Sequence, residues 1–141
     1  MTYLILWSIG LLVLLTYSIY VNIGYSKDEI GISENTVVNV IDGDTFELYN
    51  GERVRIICID APELDKRGGV ESRAFLNGLI NGREVTLEND TDDLDSYGRL
   101  LRYVYVEDVF VNRELVKEGY AKIFRYGNNT RRCNEIVGLS S

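Results

Sequence analysis

Residues 37–59 read VVNVIDGDTFELYNGERVRIICI. Apolar and polar side chains alternate over 45–49 and again from 53 to 56, which is the spacing of strands with one buried face, and the second pattern continues as an apolar run to 59. The Asn50-Gly51 pair between these two runs is a strong signal for a two-residue hairpin turn. Together with the apolar run 37–41, this pattern predicts three consecutive strands, over 37–41, 45–49 and 53–59.

The rest of the chain predicts two further strands and two to three helices. The strands and helices are expected, in chain order, at 71–80 (helix), 84–87 (strand), 100–106 (strand), 112–118 (helix), 121–124 (a short extended piece) and from 129 (a short helix). Asn112 is expected to cap the second helix, and Gly119 to end it. Five strands with a helix between the third and fourth predict a mixed α+β fold, a five-stranded OB-type β-barrel.

The first 25 residues differ in character from the rest. No charged residue occurs between Tyr3 and Ile23, and about 20 apolar residues are enough to span a bilayer. We therefore predict a transmembrane helix over residues 1–25, a polar linker over 26–35 and the barrel domain over 36–141. A cleavable signal peptide and a buried helix are the alternatives, although the start of the chain lacks the basic residues of a signal peptide.

Charge and residue usage exclude several kinds of site. The net charge is −7 and there is no histidine, so zinc sites of the Cys/His type and histidine-dependent triads are excluded. The acidic balance also argues against a protein with a broad basic face for nucleic acid. The two cysteines, Cys58 and Cys133, leave two interpretations open, because spacing alone cannot distinguish a small core residue from a disulfide partner.

Carboxylates and arginines form the most informative pattern. Asp42-Gly43-Asp44-Thr45 and Asp60-Ala61-Pro62-Glu63 are acidic turns, with Arg55 between them and Arg99 further along the chain. Converging carboxylates make an oxygen site for a hard cation, and two guanidiniums beside it make a clamp for phosphate. Each turn alone is ordinary turn chemistry, but their combination predicts phosphodiester hydrolysis.

The order and spacing of these motifs resemble the staphylococcal nuclease (thermonuclease) family over about residues 37–129. The motifs that carry the resemblance are VIDGDT (40–45), VRI (54–56), IDAPE (59–63) and DSYGR (95–99). The resemblance implies an OB-type barrel and a Ca²⁺-dependent endonuclease. Such an enzyme cleaves DNA, RNA or both and leaves 3′-phosphate products.

The resemblance also implies a role for each charged residue of these motifs. Asp44, Asp60 and the backbone carbonyl of Ala61 would bind Ca²⁺ as oxygen ligands. Asp42 would orient a metal-bound water, and Thr45 would touch another.

Three catalytic side chains are implied in the same way. Glu63 would act as the general base toward the attacking water. Arg55 and Arg99 would bind the phosphate and stabilise the charge that develops on it. For Arg99, an ion pair with the acidic loop is an equally good interpretation of the sequence.

Two aromatic positions would bind the nucleotide. Tyr97 resembles the tyrosine beside the nucleotide phosphate and sugar. A base-stacking ring is expected from either Phe124 or Tyr126, and Tyr126 is the preferred candidate.

The expected partners are therefore a DNA or RNA substrate and, through residues 1–25, a membrane; no protein partner is implied. The nuclease domain is expected outside the cytoplasm, or secreted if the N-terminal segment is cleaved. The few flanking charges leave the membrane orientation open. A non-catalytic OB module that binds nucleic acid or protein is the alternative function.

Overall fold

The computed structural model describes residues 31–138, and residues 32–138 belong to one compact unit. The predicted membrane segment, residues 1–25, and half of the predicted linker lie outside the described residues. Among residues 31–138, no helix has the length and apolar character needed to cross a membrane.

Eight short strands and three helices make up the described unit, which confirms the predicted α+β class and helix number. In chain order they are β1 (Val37–Val40), β2 (Thr45–Leu48), β3 (Arg53–Ile56), β4 (Ile59–Asp60), α1 (Gly69–Ile80), β5 (Thr86–Glu88), β6 (Leu100–Val106), β7 (Val109–Phe110), α2 (Val111–Lys117), β8 (Lys122–Ile123) and α3 (Cys133–Ile136). All five predicted strands are present.

The main sheet has the order β1-β2-β3-β6-β5, with β7 added beside β6. The β3–β6 pair is parallel and the other pairs are antiparallel. The predicted OB-like arrangement is present in this sheet, although within residues 31–138 it does not form a continuously closed barrel. Thr36 and Glu84, beside the edge strands β1 and β5, are joined by one isolated bridge.

The core lies between this sheet and the helices α1 and α2. α1 packs against β1 and α2, and α2 packs against β6 and α3. Fully buried side chains from strands and helices fill the space: Val37, Phe46, Leu48, Ile56, Leu76, Ile80, Tyr103 and Leu115. Burial of this apolar surface is the main force that holds the strand ends, and hence the acidic turns, in fixed positions.

The third predicted strand was too long. β3 ends at Ile56, and Cys58 adopts a left-handed backbone with φ of 63°. The Ile57 amide still donates to the Arg102 carbonyl (3.0 Å), after which the chain turns and pairs with β8 in a separate two-stranded sheet. This turn carries Asp60 away from the main sheet and leaves it beside Arg55, with Ala61 bound to Asp44 of the β1–β2 turn.

A disulfide joins Cys58 to Cys133 across 75 residues of chain. It resolves the two interpretations that the sequence left open. Both cysteines are buried, and the bond fastens α3 to the turn that precedes Asp60. The C-terminal segment is further held by Arg131 and Arg132, which both pair with Glu88 at 2.7 and 2.8 Å.

Asn112 does not cap α2 as predicted. It lies inside the helix, and Phe110 occupies the N-cap position. The Asn112 side chain is buried, accepts a hydrogen bond from the Val104 amide (2.9 Å) and donates one to the Ile57 carbonyl (2.8 Å). It thus pairs with backbone groups at the place where β3 leaves the sheet. These two hydrogen bonds offset the cost of removing the buried Asn112 amide from water.

Candidate active site

The turn between β1 and β2 aims Asp44 toward the interior. The Asp42 carboxylate accepts a hydrogen bond from the Asp44 amide (2.9 Å), an Asx turn that fixes the backbone. Only glycine fits at position 43, because a Cβ there would lie 2.1 Å from the Ser72 hydroxyl and 2.6 Å from the Ala61 methyl. Glycine therefore allows the turn to press against α1 and the Asp60-Ala61 segment.

Asp44 is buried, and each of its carboxylate oxygens has a partner. One oxygen accepts from the Ala61 amide (2.9 Å) and lies 3.1 Å from the Arg55 guanidinium. The other accepts from the Thr45 hydroxyl (3.0 Å). Burial raises the pKa of the Asp44 carboxyl to about 6, although Arg55 and the Ala61 amide oppose the rise. Because water no longer stabilises the negative charge of this buried carboxylate, a nearby cation stabilises it instead.

Arg55 links the two acidic motifs. One terminal nitrogen donates to the carbonyls of Ile56 and Ile59. The other contacts Asp44 and, at 3.3 Å, the carboxylate of Asp60. Because a single guanidinium nitrogen touches both carboxylates, Asp44 and Asp60 lie close together, whereas their role as metal ligands stays a prediction.

The donor set beside Arg55 fits a hard cation. Within residues 31–138, no three Asp, Glu, Cys or His side chains converge closely enough to hold a metal by themselves. Asp44 and Asp60 would therefore need to be completed by backbone oxygen and water, and the Ala61 carbonyl is in the right segment to contribute. An all-oxygen set of this composition suits Ca²⁺ rather than zinc.

Arg99 is held by the acidic loop and by the site together. Its Nε lies 2.7 Å from the Asp95 carboxylate, and Nη1 donates to the Thr45 hydroxyl at 3.3 Å. The guanidinium also lies 5.4 Å from the centre of the Tyr97 ring. Of the two interpretations that the sequence left for Arg99, the structure shows the ion pair with the acidic loop, whereas a role in binding phosphate stays a prediction.

Asp95 fixes the loop that carries Arg99. Its carboxylate accepts from the backbone amides of Tyr97 (2.9 Å) and Arg99 (3.0 Å) as well as from the Arg99 guanidinium. Burial acts to raise the pKa of Asp95, but these hydrogen bonds outweigh it and hold the pKa below its usual value. Asp95 therefore stays ionised and keeps Arg99 oriented near neutral pH.

Thr45 connects the two halves of the site. Its hydroxyl donates to Asp44 and accepts from Arg99. A continuous chain of contacts thus runs from Asp60 through Arg55, Asp44 and Thr45 to Arg99. The structure gives Thr45 this bridging position, whereas its expected contact with a metal-bound water stays a prediction.

Two clefts flank this chain of contacts. The first cleft, of about 780 Å³, is lined among others by Asp42, Thr45, Arg53, Glu63 and Arg99. Glu63 is exposed there, on the loop that leads into α1. Gly69 anchors that loop, since a Cβ at position 69 would lie 2.0 Å from the Glu63 carbonyl.

The second cleft, of about 800 Å³, lies on the side of Arg55 and the aromatic residues. Phe124 and Tyr126 both line it, with their rings parallel within 6° and their centres 6.2 Å apart. The sequence treated them as alternatives, but the structure places them together. Tyr97, which is 84% exposed, and Arg99 line both clefts.

Comparison with known proteins identifies the family. The sequence model of the family described as "Staphylococcal nuclease homologue" matches residues 53–139. The chain belongs to this family. The resemblance found in the sequence motifs is thereby confirmed.

Three similar curated proteins carry nuclease names. Endonuclease YncB of Bacillus subtilis (strain 168) is 36% identical over 123 residues, covering 79% of this chain and 58% of the relative. The SPbeta prophage-derived endonuclease YokF of the same organism is 37% identical over 112 residues, covering 72% and 38%. Thermonuclease of Staphylococcus intermedius is 36% identical over 104 residues, covering 67% and 62%. The chain thus spans less than two thirds of each relative's length.

Sequence reasoning missed two residues of this staphylococcal-nuclease-type site. Asp95 was quoted only as part of a motif, yet it holds Arg99. Arg53 lines the first cleft on the same strand as Arg55. The signal for Arg53 was available, because residues two apart on a strand share a face.

Proposed function

We propose that this protein is a Ca²⁺-dependent endonuclease that hydrolyses DNA, RNA or both to products with 3′-phosphates. The observation that carries the proposal is the chain of contacts from Asp60 to Arg99. It places two guanidiniums on either side of a buried carboxylate, with an exposed carboxylate, Glu63, in the adjoining cleft. Membership of a family with curated endonucleases supports the same reaction class.

The proposed roles follow from what each group can do chemically. Arg55 and Arg99 present planar donor groups that match the oxygens of a phosphate and the charge that develops on them. Glu63 is free to accept a proton from a water that attacks phosphorus in the first cleft. Ca²⁺ held by Asp44, Asp60 and the Ala61 carbonyl would supply further positive charge beside the phosphate.

Metal removal gives the direct test of this function. The full chain, purified in detergent, should cleave single-stranded DNA or RNA with Ca²⁺ and stop when the ion is chelated. The ends of the products should carry 3′-phosphates. A folded protein that binds these strands without cutting either would contradict the proposal and favour the alternative of a non-catalytic binding module.

We further propose that residues 1–25 tether the nuclease domain to a membrane, with the domain outside the cytoplasm. The support is the uncharged stretch 3–23, together with a disulfide of the kind that persists in oxidising compartments. The full chain should stay with membranes after alkaline carbonate extraction. Release into the carbonate supernatant would contradict an anchor.

A further inference from the structure

We propose that Arg53 binds a backbone phosphate of the substrate next to the one that is cleaved, so that the site recognises a polymer along the first cleft. The inference rests on the proposed nuclease function and extends it to a further substrate-binding residue. It starts from a cationic side chain in a cleft that already contains Glu63 and Arg99.

The geometry of β3 directs Arg53 and Arg55 to one face. Val54 and Ile56 are fully buried, whereas Arg53 is exposed and Arg55 is partly buried. Residues two apart on a strand lie about 7 Å apart on the same face. The strand therefore presents two guanidiniums in a row: Arg55 at the carboxylate pair and Arg53 beyond it, in the first cleft.

Arg53 differs from the other arginines of the site in having no internal partner. Within residues 31–138, its side chain forms no ion pair and no hydrogen bond, whereas Arg55 and Arg99 are each held by carboxylates. The neighbouring acid Glu52 is held by the Asn50 amide at 2.8 Å instead. Arg53 is thus available to an anionic ligand without first breaking an internal contact.

The net negative charge of the protein makes a local cation such as Arg53 important for attracting the substrate. A chain with net charge −7 repels a polyanion over most of its surface, so attraction must come from local cations that face the substrate. Arg53 is such a cation at the rim of a cleft that leads to Glu63 and Arg99. A strand that crosses the site would place its next phosphate within reach of this guanidinium.

The test compares Arg53→Ala with Arg113→Ala, both in the full chain. Arg113 is an exposed arginine on α2 outside both clefts, with only a 3.8 Å contact to Glu114. The probe is a fluorescent 12-nucleotide single-stranded DNA, bound in the presence of Ca²⁺ by proteins that also carry Glu63→Gln to prevent cleavage. Salt titration of the binding constant is the readout.

Arg53→Ala should weaken binding to all sequences similarly and lower the slope of log K against log salt by about 0.7, the value for one phosphate contact on a single strand. Arg53→Lys should keep most of the slope, because it keeps the charge. A dinucleotide with a single phosphodiester should be bound equally well with and without Arg53. Arg113→Ala should leave the slope unchanged.

An unchanged slope in Arg53→Ala, or an equal loss of affinity for the dinucleotide, would overturn the inference. These results do not depend on turnover, so they are separate from the test of hydrolysis. If Glu63→Gln with Arg53 intact binds the strand and Arg53→Ala lowers the slope, but wild type does not cleave, the proposed nuclease function fails and the phosphate contact of Arg53 stands. If Glu63→Gln with Arg53 intact does not bind the 12-nucleotide strand, both proposals fail.

Discussion

Replacing Glu63 with glutamine should lower the hydrolysis rate by about 10²–10⁴-fold, the usual contribution of a general base. Glutamine has nearly the same shape but cannot accept the proton of the attacking water. Glu63 is exposed, so the amide leaves packing intact and the free energy of unfolding should not change. The measurement is kcat on a single-stranded oligonucleotide with saturating Ca²⁺.

Glu34→Gln is the matched control. It removes the same charge from an exposed position outside both clefts, and its kcat should equal that of wild type. Binding of the oligonucleotide by Glu63→Gln should remain close to wild type, since the proposed role is in the chemical step. A Glu63→Gln variant that cleaves as fast as Glu34→Gln would exclude Glu63 as the base.

Reduction of the Cys58–Cys133 disulfide should lower the free energy of unfolding by about 4 kcal/mol. The bond closes a loop with a sequence separation of 75 residues, and a cross-link over such a distance strongly restricts the unfolded chain. The prediction is checked by urea unfolding of the full chain with and without a dithiol reductant. The midpoint should move to clearly lower urea in the reduced protein.

The double variant Cys58→Ala/Cys133→Ala serves as the control for this experiment. It should unfold at low urea in both conditions, because the reductant has no bond to break. Equal midpoints for oxidised and reduced wild type would show that the cross-link adds no stability. The reduced protein should also lose activity at a lower temperature than the oxidised protein. The reason is that Cys58 lies two residues before Asp60, and the Cys58 carbonyl accepts a hydrogen bond from the Phe124 amide (3.0 Å).

Local patterns predicted much of the fold because strands and helices bury a periodic face. Alternation over 45–49 located β2, and the helical spacing over 71–80 located α1. The combination of the acidic turns at 42–45 and 60–63 with Arg55 and Arg99 indicated an oxygen site directed at phosphate.

The break after Ile56 illustrates what local patterns could not predict. An apolar run follows the alternation and continues through Ile59 without glycine or proline, so the sequence reads as one strand. Contacts from distant segments stabilise the turn: Asn112 donates to the Ile57 carbonyl, and Cys58 is bonded to Cys133. These partners lie 55 and 75 residues away along the chain, which no local pattern reports.

The sequence by itself therefore determined most of the secondary structure, the family and the residue types of the candidate site, because these depend on residue type and short-range spacing. Tertiary structure decided that one Arg55 nitrogen serves both Asp44 and Asp60, and that Thr45 joins Asp44 to Arg99. It also decided the disulfide and the openness of the sheet. Each of these depends on the distance between side chains from separate elements, which only the packing of the core fixes.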